Sequence, residues 1–138
     1  MSNHIHIVAS TNTESEGLSV FIRDFKKFTS KEIVKFIQES NIESRKDWLD
    51  VVFKYHAKYN KNNKNYKIWQ SSNHPKILLH PKFTMQKISY IHNNPVVAGI
   101  VEKPEDYIYS SASSYIGKGR LIDIDIIDFG VQEGYVFT

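Results

Sequence analysis

The chain has 138 residues and a formal net charge of +3, with 18 basic side chains, 15 acidic side chains and no cysteine. The lack of cysteine excludes a disulfide framework and a thiolate metal site, so the sequence predicts a cytoplasmic protein whose metal ligands could only be nitrogen or oxygen. No apolar run approaches the roughly 20 residues of a membrane span, so we expect no membrane partner, and the length predicts one domain over residues 1–138.

The first predicted element is a short strand that carries two histidines. Residues 3–9, NHIHIVA, alternate in polarity, which is typical of a strand with one core-facing side. His4 and His6 stand two residues apart, so a strand would place both imidazoles on the same face. The pair could therefore hold one cation, or it could simply be two half-exposed histidines.

Two helices are predicted next. Apolar residues recur at spacings of three and four from Leu18 to about Glu39, which predicts an amphipathic helix with basic side chains, Arg23 and Lys27 among them, on its other face. A second helix is predicted from about Ser44 to near Ala57. We expect Trp48 and Trp69 to pack in the core.

The segment from Phe53 to Lys67 is basic and aromatic. It holds five lysines and no acidic residue, with four aromatic side chains interleaved. This pattern is typical of surfaces that bind single-stranded nucleic acid, although a solvated, lysine-rich helix end is the alternative. The side chains predicted to bind DNA are Lys58, Lys61, Lys64, Arg23 and Lys27.

The second half of the chain is predicted to add three strands and one helix. Residues 66–70 and 76–80 could pair as a hairpin, and residues 121–128, LIDIDIID, alternate like an edge strand. Between them, a helix is predicted to begin near Pro81 and to be ended by Pro95.

Tyr90 and Asn94 are four residues apart and would share one face of that helix. An amide oxygen can bind a hard cation, and a tyrosine beside such a cation is a candidate nucleophile toward phosphate. The alternative is a partly buried aromatic residue and an ordinary residue at a helix end.

Three stretches together, SNHIHIV, IWQSSNHPKILL and SYIHNNPVVAGIVEKPEDYIYSSASSYIG, resemble the single-tyrosine HUH transposases, in particular the REP-associated tyrosine transposases. The similarity extends from Asn3 to about Ile127 and is most specific between Tyr90 and Tyr115. It implies an α+β fold, with a ferredoxin-like antiparallel sheet and helices packed on one face. The strand and helix that precede the HUH strand in family members would be missing.

The resemblance also implies residue roles. His4, His6 and Asn94 would bind a divalent metal ion, Mg²⁺ or Mn²⁺, and Tyr90 would attack a DNA phosphate. The implied activity is nicking and strand transfer of single-stranded or hairpin DNA through a 5′-phosphotyrosine, carried out by a homodimer. Two alternatives remain: an inactive DNA-binding remnant or domesticated structural protein, and a metallohydrolase in which water is the nucleophile.

Overall fold

The computed structural model describes residues 3–11, 17–59, 65–119 and 121–130. The chain forms two compact units. The first unit comprises Met1–Val8 and Lys76–Thr138, and the second unit comprises Ala9–Pro75. The single domain expected over residues 1–138 stays a prediction.

The second unit contains α1 (Gly17–Glu39) and α2 (Lys46–Lys58). The predictions for both helices are confirmed, because each is specified by local spacing of apolar residues and neither contains an internal proline. Between them they enclose a cavity of about 100 Å³ whose apolar lining includes Val34, Ile37 and Phe53.

Residues 66–70 pack on these two helices. The indole Nε1 of Trp69 donates a hydrogen bond to Thr29 Oγ1 at 2.9 Å, and the Trp69 ring lies 5.9 Å from the Phe25 ring. The Lys67 backbone N–H donates to the Phe53 carbonyl at 3.1 Å. This segment is therefore held by helix contacts and not by a partner strand.

The first unit is built around α3 (Pro81–Val97), which is followed by a 3₁₀ turn (Pro104–Asp106) and the short α4 (Ala112–Tyr115). The side chains that α3 buries are Thr84, Ile88 and Pro95. The prediction that Pro95 ends the helix is wrong: α3 continues to Val97, and the fully buried Pro95 ring lies in its last turn, where its packing offsets the missing N–H.

The predicted ferredoxin-like α+β fold is wrong for the part of the chain described. About half of those residues are helical, and none of the segments 3–9, 66–70, 76–80 and 121–128 is a strand. Alternation of polarity marks which face of a strand would be buried, but a strand forms only where a neighbouring backbone completes its hydrogen bonds. Because neither 66–70 nor 76–80 is a strand, the predicted hairpin is also wrong for these described segments.

Candidate active site

Helix α3 presents Tyr90 at the surface of the first unit. Pro81 at the first helical position pre-sets the backbone angle, and the buried stripe of Thr84 and Ile88 fixes which side of the helix faces inward. Tyr90 lies off that stripe and is 56% exposed. Its phenol is therefore accessible to a large substrate.

The structure brings the two N-terminal histidines together with Tyr90. The His4 and His6 rings are 4.9 Å apart between centroids and nearly perpendicular, and the His6 and Tyr90 rings are 6.0 Å apart. A strand over residues 3–9 predicted that the two histidine rings lie on one face. The HUH resemblance implied that Tyr90 lies near them. Both contacts occur although residues 3–11 form no strand.

The Asn3 side chain selects one tautomer of His4. Asn3 Oδ1 lies 2.7 Å from His4 Nδ1, and because an amide oxygen can only accept, His4 Nδ1 must donate. In the neutral ring with this tautomer, His4 Nε2 carries the lone pair that a metal ligand needs. Hydrogen bonding of the second ring nitrogen is the usual way in which proteins orient such a ligand.

The surroundings of His6 favour its neutral form. Partial burial lowers the pKa of His6 below 6.5, and the neighbouring His4 lowers it further. A neutral imidazole keeps a lone pair at neutral pH, so His6 also meets the requirement for binding a cation.

Asn94 has an amide atom without a partner. Its side chain is half-buried on α3, one turn beyond Tyr90, and Nδ2 is buried with no hydrogen-bond partner among the described residues. A buried polar atom in this state costs free energy unless something else satisfies it. Rotation of the amide by 180° would place Oδ1 there instead, and an amide oxygen accepts a divalent cation.

Two imidazoles and one amide oxygen are donors of the kind that bind a divalent metal ion. The structure brings the His4 and His6 rings together, and Asn94 is the third ligand that the HUH resemblance implies. No group of three or more His, Cys, Asp and Glu side chains suited to a metal lies within the described ranges. The fit therefore depends on Asn94 as the third ligand.

Lys87 is a neighbour of Tyr90 to which the sequence analysis assigns no role. Its ammonium group lies 5.6 Å from the centre of the Tyr90 ring and 5.1 Å from that of Phe83. These three residues, at spacings of four and three, share one side of α3. That spacing was the available signal, and it places a positive charge beside the candidate nucleophile.

The described residues among those predicted to bind DNA, Lys58, Arg23 and Lys27, have different surroundings within the second unit. Lys58 is exposed at the end of α2, and Lys27 is exposed on α1. Arg23 is paired with Asp24 at 2.9 Å, so part of its charge is compensated. Lys61 and Lys64 lie outside the described residues.

The two tryptophans differ in burial. Trp69 packs in the second unit as expected, but the prediction for Trp48 is wrong because 61% of its surface is exposed. The spacing of Trp48 fits a helix without showing which face is covered.

Comparison with protein-family models, with curated proteins and with solved structures found no match to this chain. Within the described residues, no helix combines the length and the apolar character that crossing a membrane would require.

Proposed function

We propose that the chain is a metal-dependent enzyme that nicks single-stranded DNA and transfers the cleaved strand, with Tyr90 as its nucleophile. The observation that carries this proposal is the 6.0 Å contact between the His6 and Tyr90 rings. It joins two residues far apart in the chain whose roles the HUH resemblance implies. The half-buried amide of Asn94 and the hydrogen bond from His4 to Asn3 support the same assignment.

In the proposed reaction, Tyr90 Oη attacks the phosphorus of a DNA phosphodiester. The new bond joins Oη to phosphorus, the bond from phosphorus to the 3′ oxygen breaks, and the released oxygen takes up one proton while the phenol loses one. The product is a 5′-phosphotyrosine and a free 3′-hydroxyl. Attack by a second 3′-hydroxyl frees Tyr90 and joins the strands.

The chain's own residues would hold the reacting groups. His4 Nε2, His6 and Asn94 would bind Mg²⁺ or Mn²⁺, which when bound would draw charge away from the phosphate. Lys87 adds a fixed positive charge near the phenol. Tyr90, on a packed helix, presents its hydroxyl from a rigid element.

The test uses a 3′-labelled single-stranded oligonucleotide that has randomised positions beside a hairpin, incubated with the full chain and Mn²⁺. We expect a labelled adduct that survives denaturing electrophoresis. Tyr90→Phe should abolish the adduct, whereas Tyr109→Phe, at an exposed tyrosine of the same unit, should leave it unchanged. An adduct that persists in Tyr90→Phe would refute the assignment.

Two alternatives have distinct outcomes in the same assay. Strand cleavage that survives Tyr90→Phe but is lost in His4→Ala or His6→Ala would indicate a metallohydrolase with water as nucleophile. Binding without any metal-dependent cleavage would indicate an inactive remnant. The remnant is favoured by one observation, that no sheet supports residues 3–11 within the described chain.

The homodimer implied by the resemblance belongs to the same proposal. Its support is the exposure of Ile77 and Leu79, two apolar residues of the first unit that a second copy could cover. The cytoplasmic location stays a prediction.

A further inference from the structure

The outward side of α2 carries large aromatic side chains. Trp48, Tyr55 and Tyr59 are 61%, 59% and 72% exposed, whereas Ala57 on the other side of the helix is 2% exposed. The successive spacings of seven and four residues place the three rings along one stripe. Amphipathic helices of isolated globular domains normally carry charged and polar residues on this side, so the stripe needs an explanation.

Two of these rings support each other. The Tyr55 ring lies 5.2 Å from the Tyr59 ring and 5.6 Å from the His56 ring, and both contacts are close to perpendicular. Such contacts restrict the side-chain rotamers before any ligand binds. Most of each tyrosine surface nevertheless stays open to solvent, so flat ligands can reach the rings.

A basic depression lies beside the stripe on the same helix. Its volume is about 450 Å³, and its lining residues are Lys54, Lys58, Asn65 and Tyr66. Lys54 pairs with Asp50 at 2.6 Å and lies 5.8 Å above the Tyr66 ring, while the Tyr66 hydroxyl accepts a hydrogen bond from Gln38 at 3.0 Å. Lys54 and Tyr66 are therefore held in place before any ligand binds, and the exposed ammonium group of Lys58 lies at the edge of the depression.

The geometry points to a base-stacking platform. We propose that Trp48, Tyr55 and Tyr59 stack on unpaired bases of a single-stranded nucleic acid, whose phosphates lie along Lys58 and the basic depression. Aromatic faces beside lysines suit this ligand, because each nucleotide offers one flat ring and one negative charge. A duplex would not fit the stripe equally well, since its bases are already stacked.

Charge favours nucleic acid over an apolar protein partner. The sequence from Phe53 to Lys67 contains five lysines and no acidic residue, and the nearby Asp50 carboxylate is occupied by Lys54. The platform lies in the second unit and the candidate nucleophile in the first. The inference rests on the proposed function only in taking the strand to be DNA.

The experiment measures binding of a fluorescent oligo-dT strand by anisotropy, with the full-length chain. An abasic strand of the same length, which keeps the phosphates and lacks the bases, is the matched ligand. We expect Tyr55→Ala and Tyr59→Ala each to weaken oligo-dT binding by roughly fivefold to a hundredfold and to change abasic binding little. Phe28→Ala, at a 65% exposed ring on α1, should bind like the unmodified chain.

A second readout is the fluorescence of Trp48. Oligo-dT should quench the emission of the unmodified chain, and Trp48→Phe should lose that quenching while Trp69 still emits. Lys58→Gln should reduce the salt dependence of binding by about one counterion. Circular dichroism of each variant checks that α2 is intact.

The platform is refuted if the tyrosine variants bind oligo-dT as the unmodified chain does, or if the abasic strand binds equally well. A change in Trp48 emission with protein concentration alone would assign the stripe to a second copy and would also overturn the inference. Tyr90→Phe separates the two proposals, because it should abolish adduct formation and leave oligo-dT binding unchanged.

Discussion

The side chain of Asn3 determines which ring nitrogen of His4 carries the proton in the neutral ring. Its amide oxygen accepts from His4 Nδ1 at 2.7 Å and so leaves His4 Nε2 able to bind a cation. Sequence reasoning identified the histidines from their spacing and missed Asn3, because adjacency in the chain does not show that an amide turns back toward the ring. Lys87 was given no role for a related reason, since a role beside Tyr90 depends on where its long side chain lies.

Asn3→Ala should weaken Mn²⁺ binding by roughly tenfold to a hundredfold, since His4, the proposed ligand, would lose the group that fixes its tautomer. Isothermal titration calorimetry of the purified chain measures this directly. Ser10→Ala, at another exposed polar residue of the segment 3–11, serves as the control. An Asn3→Ala affinity equal to that of the control would mean that Asn3 does not orient the ligand.

Lys87→Met should slow adduct formation about tenfold or more, because it removes the positive charge beside Tyr90 while keeping most of the apolar stem over Phe83. The rate is measured with saturating oligonucleotide, so that weaker binding does not enter. Lys118→Met, at an exposed lysine of the same unit, should react at the unmodified rate. Equal rates in the two variants would remove Lys87 from the site.

His92 couples the stability of the first unit to pH. It lies 2.8 Å from Ser111 Oγ and 5.0 Å from the Tyr115 ring, and burial lowers its pKa below 6.5. The unfolded chain therefore takes up this proton at a higher pH than the folded chain does. The contribution of His92 to stability is therefore fully present above pH 6.5 and is lost as the pH falls through 6.5 toward the lower folded value.

Urea unfolding at about pH 7.5 and about pH 5 tests this coupling. The unmodified chain should lose more stability on acidification than His92→Gln, whose amide does not titrate. Comparing the two proteins cancels the contribution of the five other histidines of the chain to the pH dependence. If both proteins lose the same stability, the His92 contact does not control the response.

At the scale of elements, helices were predictable and strands were not. The apolar spacing within α1 and α2 is local, so the sequence alone located both helices to within a few residues. A strand needs a partner from elsewhere in the chain, and alternation in residues 76–80 or 121–128 does not say which one. As a result, the apolar side chains of Ile77 and Leu79 are exposed, because no sheet covers them within the described residues.

Gly99 closes the C-terminal end of α3 and allows a further prediction about stability. Ile100 N–H bonds to the Pro95 carbonyl at 2.9 Å, and Gly99 has a φ of +67°, the left-handed geometry that closes a helix. Gly99→Ala should destabilise the chain by about 1 kcal/mol in urea unfolding, from backbone strain alone, since a Cβ there meets open space. Gly119→Ala, without a positive φ, should have little effect, and equal losses would contradict the strain argument.

At the scale of the whole molecule, the two units carry different parts of the proposed activity. The first unit holds His4, His6, Tyr90 and Asn94, and the second unit holds the aromatic stripe of α2. The sequence resemblance implied these four residues as a group, because each lies in one of the short sequence motifs that resemble the HUH family. The aromatic stripe could be identified only from the structure, since it is the exposed fraction of Trp48 that shows that this side chain faces outward.

The central claim is that Tyr90 becomes covalently joined to DNA, and mass spectrometry of that residue tests it most directly. The full chain is incubated with single-stranded oligonucleotide and Mn²⁺, digested with nuclease and protease, and searched for peptides that carry a nucleotide phosphate. We expect the modification on Tyr90, dependent on the metal and lost when EDTA is added. A modified peptide at another tyrosine, or strand cleavage with Tyr90 unmodified throughout, would contradict the account.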